Sequence, residues 1–297
     1  MRVVFDIVVF CIHLPLQLIN MALWGSLIFV LGLIRLLMPS KFIANHLLSL
    51  MHWCYFRFSL ISVGFITIFN SLEIKTSMQT ELSKQKWYLI MANHLSYLDI
   101  ILLIQLCAKH ASPPKFFLKK ELIWTPFVGI AAWAMDMPFM RRYSQAHLAR
   151  YPELRGKDIE TTRRSCEKFL DRPTSVINFV EGTRFTPQKA ERSASPFKHL
   201  MRPKAGGIAF TLAAMGEQFS NVLDVTIAYP DSRHPMMDML CGRMKTILID
   251  IEVVPDGQNM MGDYFNDESF RQQFQLWLNQ LWQRKDQRIA QWMNKTI

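Results

Sequence analysis

Between Asp6 and Arg35 the chain runs 28 residues, Ile7 to Ile34, without a charge. Few folds can absorb such a stretch. A bilayer core needs ~20 mainly apolar residues in a helix, so this one is long enough to cross or to lie obliquely. It is not uniformly greasy, because His13, Pro15, Gln17 and Asn20 sit in its first half. A cleaved secretory signal fits poorly, since the apolar run is too long and no small-residue cleavage site follows. A second apolar stretch, Phe42 to Leu72, carries His46 and His52 and is interrupted by Arg57. Only Arg35 to Lys41, with Pro39, separates the two, so they are expected to pack as a helical hairpin. Two full spans would set Arg35 and Lys41 on the outer side, against the positive-inside tendency. A hairpin dipping into the cytoplasmic leaflet has no such conflict. One span with an interfacial helix, two spans, a one-leaflet hairpin and core helices of a soluble protein all remain open.

The rest of the chain has a different character. Of 297 residues, 50% are hydrophobic and 20% charged, which excludes a disordered chain. Net charge is +10, which calls for an anionic partner, and the apolar excess favours a membrane over nucleic acid. No helix-turn-helix, zinc or RNA-recognition pattern appears. The five cysteines form no CxxC pair and read as reduced, buried thiols. The eight histidines show no metal-ligand spacing. From residue 74 onward, β-like runs at Trp87–Ala92, Lys115–Leu118, Met137–Met140, Ser175–Val180, Val222–Ala228 and Thr246–Val253 alternate with helical patterns. The helices are expected at Ser96–Cys107, Leu122–Ala134, Ile159–Leu170, Ala205–Gly216 and Asp267–Met293. Such alternation argues a layered α/β architecture. The last helix, with Trp277, Trp282 and Trp292 among charges, reads as core-facing on one side rather than membrane-lying. Two regions are expected: 1–73, membrane-associated helices, and 74–297, the α/β domain in which any catalytic residues are to be sought.

Two constellations carry chemistry. Asn93-His94-Leu95-Ser96-Tyr97-Leu98-Asp99 follows the apolar run Tyr88–Ala92. A His at a strand end faces the carboxyl edge of the sheet, where α/β folds place ligands. If the loop folds back, the Asp99 carboxylate reaches the imidazole, orients it and leaves the other nitrogen to take a proton from a hydroxyl. The plainer alternative is a helix-capping His beside an ordinary first-turn Asp. Glu181-Gly182-Thr183-Arg184 likewise follows Ser175–Val180. Gly182 permits a tight turn, and Thr183 and Arg184 can donate to an anion. Glu181 could brace Arg184 or meet a substrate hydroxyl; a simple strand-ending turn is the competing reading.

Together the motifs, 87 residues apart from His94 to Glu181, resemble the glycerolipid acyltransferase family. Its best-known members are the lysophosphatidic acid acyltransferases (1-acylglycerol-3-phosphate acyltransferases). The resemblance covers roughly residues 85–230 and implies a mixed sheet flanked by helices. It assigns His94 as general base and Asp99 as its orienter. Acceptor phosphate falls to Arg184, supported by Thr183, Gly182 and Glu181. Lys119–Leu122, Pro126-Phe127-Val128-Gly129 and Phe139–Arg142 match a further block, in which Arg142 is the acceptor-binding Arg. Arg141 stands where the family often has Asp, which puts the head-group preference in doubt. Asp224 stands where a Pro is expected. Lys204-Ala205-Gly206-Gly207 resembles the Lys-x-Gly element before a helix; Lys204 is either a phosphate ligand or a solvated lysine. Arg184 to Lys204 holds six Lys/Arg against Glu191 alone.

The resemblance therefore implies transfer of a fatty acyl group from acyl-CoA or acyl carrier protein to a lysophospholipid hydroxyl, with 1-acylglycerol 3-phosphate first among acceptors. It implies a ternary complex without an acyl-enzyme, no cofactor and no metal. A lysocardiolipin-like remodelling enzyme and a non-catalytic lipid-binding membrane protein are the alternatives. The location implied is the cell membrane, the inner one in a Gram-negative bacterium, with the catalytic domain on the cytoplasmic side.

Overall fold

The computed structural model describes residues 2–140, 166, 171–255, 257, 260–264 and 266–295. Two long helices come first, α1 (Arg2–Leu37) and α2 (Lys41–Asn70). At ~1.5 Å per residue they are about 54 and 45 Å long, and both are apolar enough to cross a bilayer by length and composition. They pack on each other as the expected hairpin. The polar residues of the apolar stretch face inward. His13, Gln17 and Asn20 recur at helical spacing and so share one face of α1. His13 stacks on Phe69 at 4.7 Å. The Asn20 amide donates to Ser62 Oγ (2.9 Å) and to Phe58 O (3.1 Å) of α2. The opposite faces present Ile19, Leu23, Leu37, Phe42 and Ile68 to the surroundings.

After the hairpin come β1 (Glu73–Met78), β2 (Tyr88–Ala92), α3 (Leu98–His110), β3 (Pro114–Phe116), β4 (Leu118–Lys119), a 3-10 turn (Lys120–Trp124), α4 (Val128–Ala134) and β5 (Phe139–Met140). Then follow β6 (Ser175–Phe179), α5 (Pro187–Arg192), α6 (Ala205–Met215), β7 (Asn221–Ala228), α7 (Pro235–Leu240), β8 (Thr246–Val253) and α8 (Glu268–Lys295). The main sheet has the order β1-β8-β7-β2-β6-β3, while β4 and β5 form a small parallel pair. All main-sheet neighbours run parallel except β7 and β8. The sheet is thus mixed, as expected.

β2 lies near the middle with every residue buried, so each side chain must meet a covering layer. Its alternation assigns them. Tyr88, Ile90 and Ala92 join the core shared with α1, α2 and α3; Leu89 and Met91 join the core under α6 and α8. Phe274, Leu278 and Trp282 of α8 are fully buried there, each worth roughly 1.5–3 kcal/mol. The core-facing reading of this helix therefore holds.

Several expectations need correction. β1 was not foreseen: its Glu73, Lys75, Thr76 and Ser77 are exposed on the sheet edge, leaving a weak apolar signal. The sheet therefore begins at Glu73, one residue inside the span assigned to the membrane region. The single strand expected over Lys115–Leu118 is divided between β3 and β4, in different sheets. Leu122–Ala134 is a 3-10 turn followed by α4, because Pro126 and the left-handed backbone of Phe127 (φ 60°) interrupt the helix. The expected helix at Ile159–Leu170 lies outside the described residues except for Cys166, which is helical and buried.

Candidate active site

The site forms where β2 and β6 end. Asn93, the first residue past β2, is fully buried. Its amide donates to Ile227 O and its carbonyl accepts from Ile227 N, both at 2.9 Å, so it binds the loop to β7 as a peptide unit would. This fixes where the following residue points.

His94 Nδ1 lies 2.8 Å from Asp99 Oδ2. Asp99 sits in the first turn of α3, and its carboxylate turns back over the loop to accept from Leu95 N (2.6 Å) and Ser96 N (2.9 Å). Tyr229 donates its hydroxyl to the other oxygen at 2.5 Å. Burial first, then the neighbouring Asp99, holds the Tyr229 phenol well above its ordinary pKa, so it stays a donor. Asp99 thus orients the imidazole and closes the loop ahead of α3, whose start carries no side-chain cap from either His94 or Asp99. A fully buried carboxylate with this many donors is fixed in place. On its face, the imidazole stacks on Phe179 at 4.0 Å with 16° between planes, and Phe179 stacks in turn on Phe116 at 6.0 Å. Pairing through Nδ1 leaves Nε2 as the basic nitrogen, in the tautomer this network selects.

The second motif stands beside the first. Phe185 N donates to His94 O at 2.8 Å, tying the two loops together. Gly182 takes φ 68°, a left-handed turn that favours glycine, and its N–H bonds Phe179 O at 2.9 Å. Arg184 lays its guanidinium over the Tyr97 ring, 3.8 Å from the centroid. Lys189 braces the turn from α5 by donating to Thr183 Oγ1 (3.1 Å) and Arg184 O (3.2 Å). That short helix starts there because Thr186 caps it and Pro187 follows at its first position. Arg184 is partly exposed at the edge of the site.

Glu181 is placed differently. Its side chain is fully buried and accepts from Met201 N at 3.2 Å; among the described residues no ion pair joins it to Arg184. Burial pushes its carboxyl up to about 8, opposed by Met201 N, the Lys285 charge and the His94 backbone. Lys204 caps the start of α6, and its N–H bonds Val180 O at 2.9 Å, so it stands exposed just beyond the strand that delivers Glu181. Arg142 lies outside the described residues. Among the described residues no three His, Cys, Asp or Glu side chains cluster as a metal site.

Tyr97, Phe179 and Tyr229 have places here that the sequence did not disclose. Tyr229 follows β7, next to β2 in the sheet but 130 residues from Asp99 along the chain. Asp224, the residue in place of the expected Pro, is explained by a partner. Lys285 of α8 reaches it at 2.8 Å and donates to Val225 O at 2.7 Å, all within the protein interior.

A His–Asp pair at a strand end stands beside a glycine turn with a guanidinium, and both lie within the region matched by a family model. The model of the family described as Acyltransferase matches residues 73–230, more than half of the chain, and the chain belongs to this family. Among curated proteins it is similar to human 1-acyl-sn-glycerol-3-phosphate acyltransferase delta, 25% identical over 183 residues, 58% of this chain and 43% of that one. It is also similar to the human gamma form, 24% identical over 210 residues, 66% of this chain and 51% of that one. The chain thus spans about half the length of these relatives. Its fold matches the crystal structure of the 1-acyl-sn-glycerophosphate (LPA) acyltransferase PlsC from Thermotoga maritima, with a TM-score of 0.58 and 13% identity over 96% of this chain and 98% of that one.

Proposed function

We propose that this protein transfers a fatty acyl group from an acyl thioester, acyl-CoA or acyl carrier protein, to the free hydroxyl of a lysophospholipid. Family membership and the names of the relatives support this reading, and 1-acylglycerol 3-phosphate is the acceptor they favour. The observation that carries it is the Nδ1 pairing of His94 with a buried, fully ligated Asp99.

In this reading the acceptor hydroxyl hydrogen-bonds to His94 Nε2. As its oxygen attacks the thioester carbonyl, the proton passes to Nε2, and Asp99 stabilises the imidazolium. The tetrahedral intermediate collapses with loss of thiolate, which recovers the proton from His94 and leaves as the thiol. Phe179 limits tilting of the ring, so proton transfer is oriented before substrate arrives. Arg184, held over Tyr97, offers a planar donor fork to the acceptor phosphate, with Thr183 and Lys204 adding to the field. Glu181 acts from beneath by holding the Met201 backbone rather than by touching substrate.

The hairpin is read as embedded in one leaflet. Arg35 near the end of α1 pairs with Asp136 at 2.6 Å, and Asp6 near its start meets Arg243 at 3.4 Å. A helix of about 54 Å tied at both ends to one globular domain lies along that domain and does not carry it across a bilayer. The catalytic layer is read as standing on the cytoplasmic face, the side the positive-inside tendency favours for Arg35 and Lys41.

The test is turnover of labelled acyl-CoA and acyl carrier protein with a panel of lysolipids, for the intact protein and His94→Ala in vesicles. The variant is expected to remain membrane-bound and lose acyl transfer; turnover at the parental rate would remove His94 as base. Preference for a lysocardiolipin over 1-acylglycerol 3-phosphate would reassign the acceptor.

A further inference from the structure

The catalytic domain exposes an apolar surface of its own, formed by the 3-10 turn and α4 between β4 and β5. Leu122, Trp124, Phe127, Val128, Ile130 and Trp133 all face outward, and Trp124 is 87% exposed. The segment is compact. A Cβ on Gly129 would fall 2.2 Å from Leu122 O and 2.3 Å from Ile123 O, so α4 rests directly on the turn before it. Gly129 N also bonds Thr125 O at 2.8 Å, and Phe127 takes φ 60°. The sequence thus builds a firm knuckle whose side chains have been turned away from the domain.

Its other side is sealed to α1. Gly25 and Gly32 let the helices approach so closely that a Cβ on either would lie 2.9 Å from the Phe127 Cβ and 2.5 Å from the Ala134 Cβ respectively. Arg35 closes the contact by donating to Ala134 O and Asp136. The exposed aromatic surface is therefore continuous with the apolar outer face of the hairpin. Lys119 and Lys120, exposed beside Glu121, rim it with positive charge. Tryptophan with adjacent lysine suits the head-group layer of an anionic bilayer, where rings bury their apolar part and lysines meet phosphate.

We propose that the Lys120–Ala134 knuckle is a second membrane-docking element, which places Trp124, Phe127 and Trp133 in the interfacial layer of an anionic bilayer. It rests on the reading of the hairpin as membrane-embedded, and adds a contact made by the catalytic domain itself. The knuckle follows β4, which begins two residues after Phe116 of β3, and Phe116 stacks on the Phe179 that backs His94. Docking there sets the tilt of the sheet edge that carries the reactive imidazole.

The experiment uses the full chain with exposed Cys11 replaced (Cys11→Ser), the other four cysteines being buried. One fluorescent label is introduced at a time, through Trp124→Cys, Ile19→Cys on the hairpin face, or Gln273→Cys on the exposed side of α8. Each protein is reconstituted in phosphatidylethanolamine–phosphatidylglycerol vesicles and quenched with doxyl-labelled lipid or aqueous iodide. Expected are lipid quenching at 19 and 124 and iodide quenching at 273. Lipid quenching at 19 with iodide quenching at 124 overturns the knuckle and leaves the hairpin reading intact. A label at 124 reached by neither quencher is covered by protein, this chain or a second copy, and also overturns it. Loss of lipid quenching at 19 removes the hairpin reading and the proposal with it. As a second measure, Trp124→Glu with Trp133→Glu is expected to weaken binding to those vesicles at least tenfold; unchanged binding counts against the knuckle.

Discussion

Replacing Lys285 with Met tests whether the buried pair behind the sheet is a structural necessity. The Lys285 side chain is 0% exposed and Asp224 5%, with 2.8 Å between their charges, and the ammonium also satisfies Val225 O at 2.7 Å. Met keeps most of the volume but leaves a carboxylate and a carbonyl unpaired in the interior. Removing one partner of such a pair costs ~3–5 kcal/mol, against a total domain stability of ~5–15 kcal/mol. Arg288 acts on Asp224 electrostatically and offsets part of the loss, which places the expectation near the lower end, about 3 kcal/mol. Urea unfolding in detergent micelles, followed by tryptophan fluorescence, reads this directly, because Lys285 also lies 4.8 Å from the Trp282 ring. The midpoint should fall with little change in slope. Adding Asp224→Leu to Lys285→Met removes the stranded charge and should recover most of the loss. A single-variant loss below ~1 kcal/mol, or a double variant no better than the single, would refute the argument, since neither suits a dry and mutually dependent pair.

Asp99→Asn should lower kcat by roughly two to four orders of magnitude with little change in KM, because the amide no longer selects the His94 tautomer; steady-state kinetics decide, and a KM effect alone would contradict the role. Arg184→Lys should raise KM for a phosphate-bearing acceptor about tenfold or more, as an ammonium loses both the forked geometry and the stacking on Tyr97. With an acceptor lacking that phosphate the difference should vanish. Glu181 gives a pH signature. Its carboxyl is raised from 4.5 to about 8 in the fold, so the folded state holds the proton more tightly than the unfolded one. That contribution is fully present below about 4.5 and is lost as pH rises through about 8. Thermal melts of Glu181→Gln and the parent should therefore differ by a gap that moves in the variant's favour across this window; a gap independent of pH would show that burial does not perturb Glu181.

The legible parts of the molecule were those whose signal is local. The His94–Asp99 pair could be read because the partners lie five residues apart after a five-residue apolar strand. The mixed sheet followed from apolar runs alternating with helices, and the hairpin from two apolar stretches around Pro39. Its polar residues were visible at helical spacing, but their partners Phe58 and Ser62 were not, because helix rotation is set by packing. The second support of Asp99 depends on β7 lying beside β2, a pairing that no spacing encodes. Glu181 reads from its motif as a brace for Arg184 or a partner of a substrate hydroxyl, whereas its side chain is buried and accepts from Met201 N. Asp224 looked like a lost Pro because its compensating Lys285 stands 61 positions later, on α8.

The two clasps on α1, Arg35 with Asp136 and Asp6 with Arg243, have a mechanical corollary. The height of His94 above the hairpin axis is a dimension of the folded chain, unaltered by the thickness of the surrounding lipid. On the proposed function the acceptor rises to the imidazole, and how far its glycerol leaves the leaflet is dictated by the protein.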